Sequence, residues 1–296
     1  MNFIKGTLLL TRWKEYAFFV LPLTLLGPLI ANNSHLSIFD YKLYAVLLGN
    51  FATVAFAFMI NDVEDAEDDK FIKSKLFKNP ISSGVLTKKS GYLLSLSTAL
   101  VAFIAFFFLG GPVLWLGTAN ILISYLYSSK FVRLKKWPLI DIISHALMLG
   151  SLLILTSYYT YSKSLDAAGY LVAAAFFISA YGQIYNQLRD YNADKKAGLK
   201  NTSITIGKKG ALFLAKLSAV SGIACILLAL IRGIIPLWLL GIFPLLVLVS
   251  LMFKSENDIT GREIKVKTGK AQLPGYFIIN VGVLIWFILS IISPGY

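Results

Sequence analysis

The sequence predicts an all-α membrane protein with nine transmembrane helices. Three observations predict this class. The 296-residue chain is 57% hydrophobic, its mean hydropathy is +0.71, and several long stretches carry almost no charge. Soluble domains contain about 45–50% apolar residues, and a membrane-spanning helix needs about 20 of them in a row. We therefore expect one polytopic domain over residues 1–296 and exclude a soluble enzyme.

The elements follow from the apolar runs. Before residue 16 the run is too short to cross a bilayer, so we expect a helix at the membrane interface rather than a cleaved signal. The predicted spans are 16–32, 43–61, 91–109, 113–129, 139–161, 167–186, 210–231, 236–253 and 274–292. The single cysteine, Cys225, lies in the seventh span, and one thiol supports neither an internal disulfide nor a redox pair.

The net charge of +13 is distributed as in a membrane protein rather than a nucleic-acid-binding protein. Of the 28 basic residues, 24 fall in segments that alternation of the spans places on one side. Only Lys42, Lys163 and Arg232 lie in the opposite loops, and Lys216 lies within a span. Cytoplasmic loops are enriched in Lys and Arg. The amino end is therefore predicted on the cytoplasmic side of the cell membrane and the carboxyl end on the outer side. No nucleic-acid partner is expected.

Eight of the 15 acidic residues fall in two segments at the inner ends of the second and sixth spans. These segments, called here the first and second acidic motifs, are NDVEDAEDD at 61–69 and NQLRDYNAD at 186–194. On a helix, oxygens at i, i+4 and i+8 form a column along one face. The column residues are Asn61, Asp65 and Asp69, joined by Asp62, and Asn186, Asp190 and Asp194.

Such columns are unfavourable unless they bind a cation. Like charges four residues apart repel, and a helix C-terminus disfavours anions. Hard divalent ions such as Mg²⁺ take oxygen ligands and bridge carboxylates to phosphate oxygens. The alternative is a solvated acidic face that only ends each span, and the matching spacing of the two motifs argues against it. We predict Mg²⁺ as the cofactor, with Asp65 and Asp190 central to catalysis.

The two motifs also suggest an internal repeat. Their columns superpose with an offset of 125 residues, and the loops that follow are similar, KNPIS at 78–82 and KNTSI at 200–204. An offset of four spans keeps the orientation, so two parallel four-helix repeats plus a ninth helix are possible. Repeat proteins in membranes tend to place their site where the repeats meet. The two columns would then face one central cavity.

A diphosphate would need cations on the same side, and the chain supplies them. Arg12 precedes the first span, Lys78 follows the first motif, Lys130 and Arg133 follow the fourth span, and Arg189 precedes Asp190. Most of these are ordinary positive-inside residues. Lys130 and Arg189 are preferred, since Lys130 follows two tyrosines at a span end and Arg189 adjoins the second motif's aspartate. Cations directed at a leaving diphosphate lower the barrier to breaking its bond to carbon, and aromatic faces in the spans could stabilise the allylic cation.

These residues resemble the UbiA superfamily of intramembrane prenyltransferases. The likeness rests on N-D-x-x-D-x-x-x-D in the first motif, D-x-x-x-D in the second, nine spans, and the loop segments KNPISSG and RDYNADKKAGLKNT. It implies that both motifs hold Mg²⁺ and that a prenyl diphosphate donor binds at an apolar cavity open to the bilayer. By the same resemblance Lys130 is a basic residue of the site, Asn186 supports the second metal, and Lys78 lies in the loop that caps the site.

The acceptor is predicted to be lipophilic, either aromatic or isoprenoid. Asp141 and His145 are the main acceptor candidates, since ionisable residues within spans are functional by default. A mutually hydrogen-bonded pair near the interface is an equal alternative for these two, and Asn120 is a weaker candidate. A terpene cyclase of the same superfamily is an alternative function. A small-molecule transporter is another, although transporters usually place their charges near the bilayer midplane.

Overall fold

The structure is a computed structural model, and the elements among its described residues are all helices. It describes residues 3–31, 37–71, 76–165, 168–196, 198–252, 256, 263–264, 270 and 272–292. The helices are α1 (Phe3–Thr11), α2 (Ala17–Ile30), α3 (Tyr41–Asp69), α4 (Lys88–Leu109), α5 (Gly111–Ser128), α6 (Ile140–Tyr159), α7 (Gly169–Lys196), α8 (Thr202–Ile231), α9 (Leu239–Ser250) and α10 (Gln272–Ile292).

Helices α2 to α10 coincide in order with the nine predicted spans. Five helices of the described chain are long and apolar enough to cross a membrane, namely α3, α4, α6, α8 and α10. Two more, α2 and α9, are shorter apolar helices. The all-helical membrane fold is therefore supported, while the count of nine crossings stays a prediction. The predicted N-terminal helix is present as α1, and its Phe3, Ile4 and Leu8 are exposed.

Both acidic motifs lie within helices, as predicted. Helix α3 has 29 residues and ends at Asp69, and α7 has 28 residues and runs past Asp194 to Lys196. At 1.5 Å per residue, α3 is about 43 Å long, whereas the hydrocarbon core of a bilayer is about 30 Å thick. A helix of this length can therefore carry its last turns, with the motif, beyond the hydrocarbon region.

Local sequence explains where several helices begin. The side chains of Asp40, Thr87 and Asn201 accept hydrogen bonds from backbone N–H groups in the first turns of α3, α4 and α8. These residue types are preferred N-caps because their oxygens satisfy donors that have no partner within the helix. Gly110, at a φ of 66°, forms the sharp connection between α4 and α5.

A buried polar contact joins three helices. The amide of Asn50 on α3 donates to Thr24 Oγ1 on α2 and to the Leu153 carbonyl on α6, both at 3.0 Å. Its carbonyl accepts from Thr156 Oγ1 at 2.8 Å. Polar side chains hold membrane helices together because their alternative is an unsatisfied group in an apolar medium. This contact fixes α3, which carries the first motif, against α2 and α6.

Helix α6 contains a π-helical turn, Leu147–Ser151. The Asn120 amide on α5 donates to the Met148 carbonyl in this turn at 3.2 Å. A π-turn shifts the helical register by one residue and often lies at a functional site. Here the turn begins two residues after His145 and contributes Met148 and Leu149 to the central cavity.

Helices α2 and α6 approach closely at Gly27. A Cβ built on Gly27 would lie 1.9 Å from Ser157 Oγ and 2.5 Å from the Tyr158 backbone nitrogen. Small residues allow such approaches in membrane proteins. The helix pair borders the cavity, since Pro22, Leu23 and Leu26 on α2 and Ile154 on α6 line it.

We expect Gly27→Ala to destabilise the protein by about 1–3 kcal/mol, because the added methyl must push α2 away from α6. The measurement is the midpoint of thermal unfolding of detergent-purified protein. Gly241→Ala on α9 is the matched control, since a Cβ there meets no atom within 4 Å. Equal midpoints for the two variants would contradict the close contact.

Candidate active site

A cavity of about 560 Å³ lies among the helices and is lined largely by apolar side chains. Its polar lining includes Arg12, Glu15, Asn61, Tyr127, Ser128, His145, Ser179, Gln183, Asn186, Arg189, Gln272 and Tyr276. Asn61 and Asn186, the first residues of the two motif columns, both belong to this lining. The two motifs therefore reach one chamber, and ligand pockets are commonly of this size and character.

In the first motif, Asn61 and Asp65 converge on the ammonium group of Lys135. Lys135 Nζ lies 2.8 Å from Asn61 Oδ1 and 2.5 Å from Asp65 Oδ2. Asp65 Oδ1 also accepts from Arg133 at 2.9 Å, and Ser128 donates to Asn61 Oδ1 at 3.2 Å. The two column oxygens, one helical turn apart, thus already bind a single cation between them.

Asp62, the adjoining acid, is bound from the amino end of the chain. Its carboxylate is buried, with 4% of the residue exposed, and Oδ1 accepts from Arg12 Nη1 at 3.0 Å. Arg12 is also held by Glu15, at 2.6 Å, and its guanidinium lies 4.8 Å from the Phe58 ring centre. Burial alone would lower the pKa of Arg12, but the charge of Asp62 helps to raise it above its ordinary value. Arg12 therefore stays cationic on the cavity wall.

The last aspartate of each motif is bound by an asparagine from the following loop. Asn79 Nδ2 donates to Asp69 Oδ2 at 3.1 Å, and Asn201 Nδ2 donates to Asp194 Oδ2 at 2.9 Å. Both asparagines are buried, and so is Asp69.

In the second motif the cation comes from the motif itself. Arg189 donates to both carboxylate oxygens of Asp190, with Nη2 3.1 Å from Oδ2. Arg189 is buried, lines the cavity and packs near the ring of Tyr185. Two of the predicted diphosphate ligands, Arg12 and Arg189, thus lie on the cavity wall.

The other two predicted diphosphate ligands lie elsewhere. Lys130 Nζ binds Glu67 Oε2 at 2.9 Å, on an exposed part of the first motif. This hydrogen bond raises the pKa of Lys130. Lys78 precedes Asn79 in the loop after α3. Neither belongs to the cavity lining, so their role stays a prediction, and Arg133 and Lys135 are the cations that contact Asp65.

Of the three predicted acceptor residues, only His145 lines the cavity. His145 Nδ1 lies 3.2 Å from Ser179 Oγ, and its ring centre lies 6.2 Å from that of Tyr127. Tyr127 in turn accepts a hydrogen bond from Gln183 at 2.8 Å. These side chains, here called the polar wall, give an otherwise apolar chamber a place to bind a polar group.

Asp141 and Asn120 have contacts of a structural kind. Asp141 is fully buried and accepts from Gln187 at 2.6 Å, from the Thr202 backbone at 2.8 Å and from the Thr202 hydroxyl. It therefore ties α6 to α7 and to the start of α8. Asn120 supports the π-turn of α6. An acceptor role for either stays a prediction. The hydrogen bonds of Asp141 and His145 in the described structure go to other residues and not to each other.

The donor set fits a divalent metal that substrate helps to bind. Among the described residues, no three His, Cys, Asp or Glu side chains form a ready-made cage. Magnesium, however, is usually held by one or two carboxylates together with waters and substrate phosphates. Asn61 and Asp65 already share one cation, Lys135. The oxygen ligands and their convergence therefore suit Mg²⁺ with a diphosphate.

Sequence reasoning did not single out several residues of this site. Lys135 is one of four basic residues in a single loop, and nothing in its sequence context distinguishes it. Asn79 and Asn201 could have been found, because they occupy matching places in the two similar loops. Gln183 lies one turn before Gln187 on α7, but amides without a charge pattern carry little signal.

The chain is similar to known proteins in sequence and in fold. The model of the UbiA prenyltransferase family matches residues 20–265. Digeranylgeranylglyceryl phosphate synthase of Pyrococcus horikoshii is 25% identical over 216 residues, 72% of each chain. Lycopene elongase/hydratase of Corynebacterium glutamicum is 30% identical over 193 residues, which are 62% of this chain and 63% of that protein. The solved structure of a UbiA homologue from Archaeoglobus fulgidus bound to GPP and Mg²⁺ has a TM-score of 0.74 at 23% identity, covering 97% of this chain and 100% of that one.

The Arg12–Asp62 pair predicts a large effect of removing the arginine. We expect Arg12→Met to destabilise the protein by about 3 kcal/mol, because it leaves the carboxylate of Asp62 buried without its cation. The midpoint of thermal unfolding measures this. Lys14→Met is the control, since Lys14 is exposed two residues away. An Arg12→Met variant as stable as the control would show that Asp62 does not depend on this pair.

Proposed function

The chain belongs to the UbiA prenyltransferase family, and we propose that it transfers a prenyl group from a prenyl diphosphate to a lipophilic acceptor within the membrane, using Mg²⁺ and releasing diphosphate. Membership of this family favours an enzyme over the transporter alternative. One observation carries the proposal: Asn61 and Asn186, the first residues of the two acidic motifs, line one largely apolar cavity. The hydrophilic diphosphate and the hydrophobic prenyl chain of the donor would thus bind at adjoining parts of one site.

The proposed metal ligands are the two columns of oxygens predicted from sequence. They are Asn61, Asp62, Asp65 and Asp69 in the first motif, and Asn186, Asp190 and Asp194 in the second. Mg²⁺, when bound, would supply positive charge against the negative charge that develops on the diphosphate. The convergence of Asn61 and Asp65 on a cation supports the first site.

The protein's own cations complete the charge balance. When the carbon–oxygen bond of the donor breaks, its electron pair stays on the diphosphate oxygen. Arg12 and Arg189, on the cavity wall, are placed to stabilise that charge. Arg133 and Lys135 contact Asp65 and are placed to contact the diphosphate oxygens as well. Lys78 and Lys130 are proposed to act from the loops that flank the first motif.

The apolar lining would protect the allylic cation that remains. Phe58 and Tyr127 lie on the cavity wall beside the first motif, and Phe19, Tyr276 and Trp286 add further rings. An aromatic face contributes up to about 2 kcal/mol to binding a desolvated cation. Excluding water also prevents simple hydrolysis of the donor. A largely apolar lining therefore supports transfer to an acceptor dissolved in the membrane.

The acceptor is proposed to bind against the polar wall through a polar end group. His145, Ser179, Tyr127 and Gln183 offer hydrogen bonds there. Relatives of this chain include a digeranylgeranylglyceryl phosphate synthase and a lycopene elongase/hydratase, whose names refer to isoprenoids, and a 4-hydroxybenzoate octaprenyltransferase, whose name refers to an aromatic compound. The acceptor is therefore proposed as lipophilic, either isoprenoid or aromatic. The positive-inside distribution supports a cytoplasmic mouth for the site.

Removing one carboxylate from each motif tests the metal site. We expect Asp65→Ala and Asp190→Ala each to abolish Mg²⁺-dependent release of diphosphate from geranylgeranyl diphosphate, because each loses a ligand. Glu67→Gln is the matched control on α3, since Glu67 is exposed and binds Lys130 instead. Full activity of either alanine variant would show that the proposed metal site, formed by both motifs, is wrong.

A second experiment separates acceptor from donor. We expect His145→Ala to raise the KM for the acceptor about tenfold while the KM for geranylgeranyl diphosphate stays unchanged, because His145 lies on the polar wall. Carotenoids, glycerol-phosphate ethers and quinone precursors form the acceptor panel for the wild-type enzyme. Release of diphosphate with a cyclised product and no coupled one would favour the cyclase. An effect of His145→Ala on the donor alone would contradict the assignment of this wall.

A further inference from the structure

The two loop asparagines, Asn79 and Asn201, make the same contact at the two motifs. Each donates its Nδ2 to Oδ2 of the last aspartate, Asp69 in the first motif and Asp194 in the second, at 3.1 and 2.9 Å. Asn79 is 2% exposed and Asn201 is 7% exposed. The bond to Asp69 is buried and the bond to Asp194 is partly buried, so neither is a chance contact at an exposed surface.

The far side of each amide fixes its orientation. Asn79 Oδ1 accepts from the backbone nitrogens of Ile81 and Ser82, at 3.0 and 3.3 Å. Asn201 Oδ1 accepts from the nitrogen of Ile204, at 2.9 Å. A flipped amide would direct NH₂ at backbone donors and oxygen at a carboxylate. Only the orientation with Nδ2 towards the aspartate satisfies both sides.

The contact is formed by two loops of different length. Asn79 follows Asp69 by ten residues, whereas Asn201 follows Asp194 by seven. Helical periodicity cannot produce the same contact at both separations. The two loops therefore reach one geometry by separate paths, which argues for a shared requirement at the carboxylate rather than for a by-product of local structure.

Both loops are also anchored independently of the carboxylates. Asn79 Nδ2 donates to the Asp62 carbonyl at 2.7 Å, and Ser82 Oγ donates to the Ala66 carbonyl at 2.7 Å. In the second loop, Thr202 next to Asn201 is held by the buried carboxylate of Asp141. The asparagines are thus held in place by further hydrogen bonds, and each restricts the rotation of its aspartate.

We infer that Asn79 and Asn201 are paired positioning residues that orient the last carboxylate of each motif for the divalent cation, an inference that rests on the proposed function. A neutral amide suits this task. It fixes one carboxylate oxygen by a hydrogen bond without bringing a positive charge that would compete with the metal. Groups that orient metal ligands in this way typically affect metal affinity by about 10–100-fold.

Serine variants distinguish two roles of each asparagine, which orients the aspartate and also caps the backbone of its own loop. Serine is also a good N-cap and turn residue, but its hydroxyl is too short to cap the backbone and reach the aspartate as well. We expect Asn79→Ser and Asn201→Ser to raise the Kd for Mn²⁺ about tenfold, measured at a temperature at which each variant is folded. The measurement is electron paramagnetic resonance of Mn²⁺ titrated into purified full-length protein with a non-cleavable geranylgeranyl diphosphonate.

Matched controls come from the same loops. Ser82→Ala removes a bond to the Ala66 carbonyl, and Thr205→Ala removes a bond to the Asn201 carbonyl at 3.0 Å. Neither touches a motif carboxylate, so their Kd for Mn²⁺ should equal that of the wild type. Serine variants that bind Mn²⁺ as tightly as the controls would overturn the inference.

Asp65→Ala and Asp190→Ala in the same titration distinguish a failure of this inference from a failure of the proposed metal site. If these variants lose Mn²⁺ while the serine variants keep it, only the role of the asparagines is refuted. If wild-type protein binds no Mn²⁺, or the aspartate variants bind it normally, the proposed metal site fails and the inference fails with it.

Discussion

The fold depends on one constraint. The carboxylates at the ends of α3 and α7, beside an apolar cavity, need partners that compensate their negative charge. An ionised carboxylate removed from water is unstable unless a cation or hydrogen-bond donors replace its hydration. The first motif obtains these partners from three separate segments of the chain. Arg12 comes from the amino end, Asn79 from the loop after α3, and Arg133 with Lys135 from the segment between α5 and α6. The need to compensate these carboxylates therefore holds separate segments of the chain together at the first motif.

Much of this arrangement could be predicted from sequence because it follows from periodicity and composition. Apolar runs located the helices, and the i, i+4, i+8 oxygens identified the motifs before any contact was known. The partners of each acid could not be predicted. Lys130 and Lys135 lie in the same basic loop, and a left-handed residue at Arg133, with φ of 54°, followed by a turn at Leu134–Lys136 brings Lys135 to Asp65. Backbone reversals of this kind have no clear sequence signal.

The acceptor candidates show a second limit of spacing arguments. Asp141 and His145 are four residues apart and share a helix face, yet His145 lines the cavity while Asp141 is covered by Thr202 and Gln187. Spacing gives the direction of a side chain around its own helix. It does not say which neighbouring element lies in that direction. At Asp141 that element is the start of α8, which is separated from Asp141 along the chain by the whole of α7.

The two motifs differ in one respect that bears on the proposed chemistry. At the second motif the cation is Arg189, which belongs to the same helix as Asp190 and cannot move far from it. At the first motif it is Lys135, a flexible side chain from another segment, located between Asn61 Oδ1 and Asp65 Oδ2. A divalent ion and an ammonium group cannot occupy that point together. The proposed function therefore requires Lys135 to leave it when metal and diphosphate bind. The diphosphate brings negative charge that can receive the displaced ammonium group.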